Sequence, residues 1–175
     1  MRGIKTSTIA ILAVGLLAGS AVGVAAQDDA TDPAAPSVFT TSPVPGPPEF
    51  SEDPATGLPV AVVEFTATDP RAAGMMTAIE DGGEVEADGR TYYTLSSSVR
   101  LVNDGGTWVG TNRGVNVEAE DGASGWYAEY TGEGGYEGLR MYTFKTFADL
   151  QDEGTWVGFI VPADTVPPIP ELPAE

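Results

Sequence analysis

The chain of 175 residues contains no cysteine and no histidine. Without them it has no thiolate or imidazole nucleophile, no imidazole base and no thiolate or imidazole ligand for zinc. It also has no disulfide to staple a fold, so a folded domain must be held by its core alone. Catalysis would have to come from carboxylates, Tyr, Ser/Thr, Arg or Lys, and a metal would have to accept oxygen ligands. Positive charge is scarce too, with 8 Lys and Arg against 26 Asp and Glu and a formal net charge of −18. Such a surface repels nucleic-acid phosphates and anionic lipid heads, which leaves cations, basic peptides and neutral small molecules as partners. The same acidity keeps a protein soluble in an extracellular or salty medium.

Long hydrophobic runs are missing except at the N-terminus. Residues 1–26 carry a basic start (Arg2, Lys5), an apolar run from Ile9 to Ala18 and small residues ending in Val24-Ala25-Ala26. That is the layout of a secretory signal peptide, with cleavage expected after Ala26 and the protein secreted. The alternative is an uncleaved N-terminal membrane anchor, since the stretch to Ala26 approaches spanning length. After cleavage six cations face the 26 carboxylates.

Proline is scarce only in the middle of the chain. Of 14 prolines, Pro70 alone falls between Val60 and Val161, an interval that holds 13 of the 15 aromatic residues. Proline cannot donate to a β-ladder and aromatics need a core, so residues 59–162 are expected to form one folded domain. The flanks, 27–58 and 163–175, are expected to be a Pro-rich disordered linker and a Pro-rich tail.

Within that domain the hydrophobic period is 2, and no amphipathic helix is visible. Strands are expected at Val60 to Thr68, Gly74 to Ile79 (closed by a turn at Asp81-Gly82-Gly83), Arg90 to Val102 (one bent or two short), Thr107 to Val117, Gly125 to Thr131, Leu139 to Phe147 and Thr155 to Val161. Nearly every connection carries Gly, Asp or Glu, and a short helical turn fits Pro70 to Ala73 or Phe147 to Gln151. The expected fold class is all-β: a single antiparallel barrel of about seven or eight strands, with a β-sandwich as the alternative.

A duplication supports this reading. Asp104-Gly105-Gly106-Thr107-Trp108-Val109-Gly110 returns 48 positions later as Asp152-Glu153-Gly154-Thr155-Trp156-Val157-Gly158, and Trp126 follows a looser acidic turn. On a strand, residues i and i+2 share a face, so Trp108 sits with Gly110, Trp126 with Ala128 and Trp156 with Gly158. Alternating large and small residues fill a small barrel without collision, which points all three rings inward. The competing arrangement has aromatic rings covering glycine on the outer face.

The run Thr131-Gly132-Glu133-Gly134-Gly135-Tyr136-Glu137-Gly138-Leu139 resembles the Gly-x-Gly-x-Tyr/Phe-x-Gly signature of an uncharacterised secreted bacterial β-barrel family. That signature is loosely similar to the allene oxide cyclase and dirigent-like barrels, and the resemblance spans about Val99 to Gly158. It implies a barrel and, by extension, an isomerase or cyclase steering a hydrophobic intermediate in an apolar cavity. None of that group's functional residues can be placed on this chain.

Three functional readings follow. In the first, non-enzymatic one, the chain is a small-molecule-binding or surface-associated module whose small hydrophobic or neutral ligand is held by Trp108, Trp126, Trp156, Tyr127 and Tyr142. In the second it is an isomerase or cyclase, with Glu64 or Glu129 as acid–base group and Arg100 or Arg140 steadying negative charge. These four charges lie within strands, where their faces either line a cavity or form an outer surface that blocks sheet-to-sheet aggregation. In the third, calcium supports a structural or adhesive role. Glu84-Val85-Glu86-Ala87-Asp88-Gly89 imitates the first half of an EF-hand loop but places Leu95 where a bidentate Glu is needed, and Glu118, Glu120 and Asp121 form a second acidic turn. A solvated hairpin turn accounts for either cluster, so no metal site is assigned, no cofactor is expected, and the enzymatic reading ranks behind the binding one.

Overall fold

The computed structural model describes residues 34–46, 48–118, 124–147 and 155–166. Alternating inward and outward side chains, broken by acidic and glycine-bearing turns, fold the described residues into nine antiparallel strands. They are β1 (Ser37–Pro43), β2 (Glu49–Glu52), β3 (Pro59–Ala67), β4 (Gly74–Ala87), β5 (Arg90–Asn103), β6 (Gly106–Glu118), β7 (Ser124–Glu133), β8 (Leu139–Phe147) and β9 (Trp156–Pro162). The helical pieces among the described residues are three short 3-10 turns, at Pro70–Ala72, Gly134–Tyr136 and Ala163–Thr165.

Strands β3 to β9 pair in sequence order as a meander, and β1 pairs with both β9 and β3. The hydrogen bonding therefore runs around a closed ring of eight strands, with β2 attached outside it along β3. Closure leaves those eight strands without a long unpaired edge around the waist of the sheet, as an acidic protein with one apolar face requires.

The strand that closes the ring comes from the segment expected to be a disordered linker. Phe39 and Phe50, the two aromatics outside the Pro-poor interval, lie on β1 and β2. Phe39 is a core residue, whereas β2 is exposed along its length. The prolines do not prevent this because they stand at strand margins: Pro43 ends β1, Pro59 begins β3 and Pro162 ends β9. A margin is where a missing N–H costs a ladder least.

One turn also differs from expectation. Asp81-Gly82-Gly83 is strand, and β4 continues to a two-residue turn at Asp88-Gly89, with Ala87 facing Arg90. Both turn residues have positive φ, 53° and 73°, which makes a tight hairpin whose twist matches that of its strands. The expected signal peptide, most of the tail, and the second possible helical turn beyond Phe147 lie outside the described residues.

The core is one cluster: Phe39, Ala72, Ala78, Val99, Leu101, Trp108, Ala128, Tyr130, Tyr136, Leu139, Met141 and Ile160. Large residues stand against small ones throughout. Phe39 faces Gly158 across the β1–β9 ladder, and a Cβ on Gly158 would come within 2.4 Å of the Phe39 ring and 2.6 Å of the Tyr142 carbonyl.

Candidate functional site

One end of the barrel is shut by side chains. Trp108 is fully buried and stacks on Tyr136, with centroids 4.8 Å apart and an interplanar angle of 16°. Its indole Nε1 donates to the Arg71 carbonyl at 2.8 Å. Asn103 holds the plug together: its amide donates to the Ala73 carbonyl at 2.7 Å and the Arg71 carbonyl at 3.1 Å, and its Oδ1 accepts from the Tyr136 hydroxyl at 2.6 Å. The Arg71 guanidinium pairs with Asp69 at 2.7 Å and donates to Ser37 Oγ and the Ala35 carbonyl, both at 2.9 Å, which ties the start of β1 to the 3-10 turn. Burial pushes the Asp69 carboxyl up, but hydrogen bonds from Arg71 and Ser37 outweigh it and hold the pKa below the usual value. The Gly-x-Gly-x-Tyr run thus supplies Tyr136, the ring beneath Trp108.

Above this plug the interior widens into a cavity of about 60 Å³. Its floor and sides are apolar, including Phe65, Met76, Val99 and Met141, and Trp126 and Trp156 stand over it edge to face with centroids 5.9 Å apart. Between floor and tryptophans runs a polar row. Register places Glu80 opposite Ser97, Ser97 opposite Asn112, Asn112 opposite Ala128 and Ala128 opposite Thr143. Glu80, Asn112 and Thr143 line the cavity, as does Tyr130.

Ser97, Asn112 and Thr143 are exposed by only 5 %, 8 % and 4 %; among the described residues Ser97 Oγ and Asn112 Oδ1 have no hydrogen-bond partner, and Thr143 Oγ1 has the Tyr130 hydroxyl as its neighbour. A buried polar atom left unmatched costs about 1–3 kcal/mol, so such atoms in one row oppose folding unless something else binds them. Burial raises the Glu80 pKa above that of an ordinary glutamate. Burial also pushes the Tyr130 phenol up to about 12, with the neighbouring Thr143 hydroxyl acting in the opposite direction. At the rim, Trp126 Nε1 donates to Asn116 Oδ1 at 3.0 Å, and the buried Lys145 holds its Nζ 5.8 Å from the Trp156 ring centroid.

The residues singled out in the sequence divide between two faces. Trp108, Trp126 and Trp156 all point inward, Trp108 in the closed end and the other two at the cavity. Tyr127 and Tyr142 face outward, and with Phe144 and Phe159 they form an outer aromatic cluster across β7, β8 and β9, with centroids 5.0 to 6.4 Å apart. Trp126 and Tyr127 are consecutive on one strand, so only one of them can face the interior. Desolvation and a hydrogen bond to Glu129 raise the Tyr127 pKa to about 12.

The four strand charges are on the outer surface as well. Glu64 and Glu129 are exposed, Arg100 makes an exposed pair with Glu133 at 3.5 Å, and Arg140 donates to Thr131 Oγ1 at 2.6 Å on the outer face. The structure brings none of them into the cavity, so they form no acid–base pair there. Glu84 and Glu86 are exposed strand residues, Asp88 is in the hairpin turn, and Glu120 and Asp121 lie outside the described residues. Among the described residues no group of three acidic side chains could hold a metal ion.

Glu80, Ser97, Asn112, Thr143 and Lys145 were not singled out from the sequence. The available signal was alternation: Glu80 continues the inward positions Met76 and Ala78, and Lys145 continues Met141 and Thr143. Compared with known proteins, the chain matches no protein-family model, no curated protein and no solved structure.

Proposed function

We propose that this is a secreted small-molecule-binding barrel, with its ligand held in the interior between the polar row and the rings of Trp126 and Trp156. The observation that carries this reading is the buried amide oxygen of Asn112, unmatched among the described residues, which lines one internal space together with Glu80 and Thr143. An apolar, partly enclosed cavity with a few convergent polar groups is the ordinary anatomy of a small-ligand site. A protein built only for stability would fill the row with apolar side chains, as it does one layer below with Ala78, Val99 and Met141. The N-terminal basic, apolar and small-residue sequence supports secretion.

The isomerase or cyclase reading lacks the groups first considered for it, since Glu64, Glu129, Arg100 and Arg140 line the outside. Glu80 is the carboxylate at the cavity, and among the described residues no second charged side chain lines it. That composition favours binding over acid–base turnover.

Trp126 and Trp156 make the site self-reporting. Titrating the protein with a panel of small amphiphiles is expected to shift tryptophan emission saturably, and replacing both Trp126 and Trp156 by Phe is expected to abolish the shift while Trp108 emission persists. A flat response across charged, neutral and hydrophobic probes would defeat the proposal.

A further inference from the structure

Resting on the reading above, we propose that the ligand is a small primary amine, bound as its ammonium ion with the head group against Glu80, Asn112 and Thr143 and the short apolar remainder among the aromatic walls. Four observations lead there.

The row presents oxygen. Glu80 supplies a carboxylate, Thr143 supplies a hydroxyl oxygen, and the unmatched atom of Asn112 is its amide oxygen. An ionised carboxylate and an amide oxygen can only accept, whereas an ammonium group carries three donors and no acceptor. An anionic head group would instead meet a carboxylate and an acceptor-only oxygen, with no guanidinium or ammonium among the residues that line the cavity.

The walls suit a cation. Phe39, Phe65, Tyr130, Trp126 and Trp156 all line the cavity, and aromatic faces attract organic cations most strongly where water is excluded. The molecule already displays this preference at its own rim, where the Lys145 ammonium group lies 5.8 Å from the centroid of Trp156. Lys145 is a buried residue at the rim and does not line the cavity itself.

Size and field agree. About 60 Å³ admits a head group and a few carbons, not a large ring system. The excess of 26 carboxylates over 8 cationic side chains draws positive ligands toward the barrel. A cation at the row also gives the half-buried, partly desolvated Glu80 a counter-charge, so that its raised pKa falls when the ligand binds.

The test is calorimetric titration of the full chain at neutral pH with three isosteric probes: n-butylammonium, n-butanol and butyrate. The inference expects saturable binding of butylammonium, about tenfold or more tighter than butanol, and no heat from butyrate. Glu80→Gln should erase the preference for the amine, and Thr143→Val should weaken butylammonium more than butanol. Melting temperature and circular dichroism should show both variants folded. Equal binding of butanol and butylammonium, unchanged in Glu80→Gln, would overturn the amine assignment and leave the receptacle standing. Tightest binding of butyrate would overturn it in the opposite sense. Silence from all three probes, together with a flat fluorescence panel, would remove the receptacle as well.

Discussion

The two ends of the barrel interior are built from the same unit and solve different problems. Trp108 and Trp156 come from the duplicated Gly-Thr-Trp-Val-Gly segments and each is followed on its own face by glycine. Trp108 is sealed under Tyr136 with its indole N–H matched, and each polar side-chain atom of Asn103 beside it is hydrogen-bonded. Trp156 stands half-buried over a cavity in which the buried Asn112 amide oxygen is unmatched among the described residues. Matched polar groups around a filled space hold a fold together, and unmatched ones around an open space weaken it until a ligand arrives. The closed end is therefore expected to carry stability and the open end to carry binding.

The largest effect should come from the closed end. Trp108→Ala removes a fully buried ring and its hydrogen bond, and is expected to cost about 3–5 kcal/mol in chemical denaturation. A loss under about 1 kcal/mol would mean that the end is not the keystone it looks like. Asn103→Ala leaves the Tyr136 hydroxyl and two turn carbonyls without their partner and should cost about 2–3 kcal/mol by the same measurement.

At the open end the sign is expected to change. Thr143→Val replaces a cavity-lining hydroxyl, whose neighbour is the Tyr130 phenol, by a methyl group of the same shape, and its unfolding free energy should stay within about 1 kcal/mol of the parent. A large destabilisation would show that the Thr143 hydroxyl already has a partner that the fold depends on. Glu80→Gln gives the smallest and most pH-dependent effect. Because the folded-state pKa of Glu80 is raised, the native protein holds this proton more tightly than the unfolded chain does, so the parent loses stability as pH rises through that pKa. The variant should therefore melt higher than the parent at neutral pH, with the gap closing below about pH 4, where glutamate is protonated in both states. A gap independent of pH would contradict a desolvated Glu80.

Much of the strand layout could be read from alternation. β8 and the bulk of β3, β5, β6, β7 and β9 follow from apolar positions recurring every second residue between glycine-bearing turns. β1 escaped because proline counts were averaged over a long segment that contains Val38-Phe39-Thr40-Thr41, a short β-prone run with an aromatic residue at its centre. β4 was cut short because Asp81-Gly82-Gly83 carries turn residues. They remain in strand because Asp88-Gly89 makes the tighter hairpin six residues later. The site was less legible than the fold. Tyr127 and Tyr142 drew attention as aromatics and Glu64, Glu129, Arg100 and Arg140 as charges, yet all six face outward, while Ser97, Asn112 and Thr143 look unremarkable until burial is known.

By itself the sequence determined the strand period, the large-then-small rule behind all three tryptophans, the acidity and the absence of Cys and His chemistry. Each of these is a property of neighbouring residues or of composition. Only the tertiary structure decided which face of each strand lies inside, that a strand from the Pro-rich arm closes the ring, and that Glu80, Ser97, Asn112 and Thr143 share one row. Alternation fixes which residues travel together on a face, but closure and register between strands far apart in the chain decide which face loses its water. That loss turns an ordinary serine, asparagine or threonine into a candidate ligand contact.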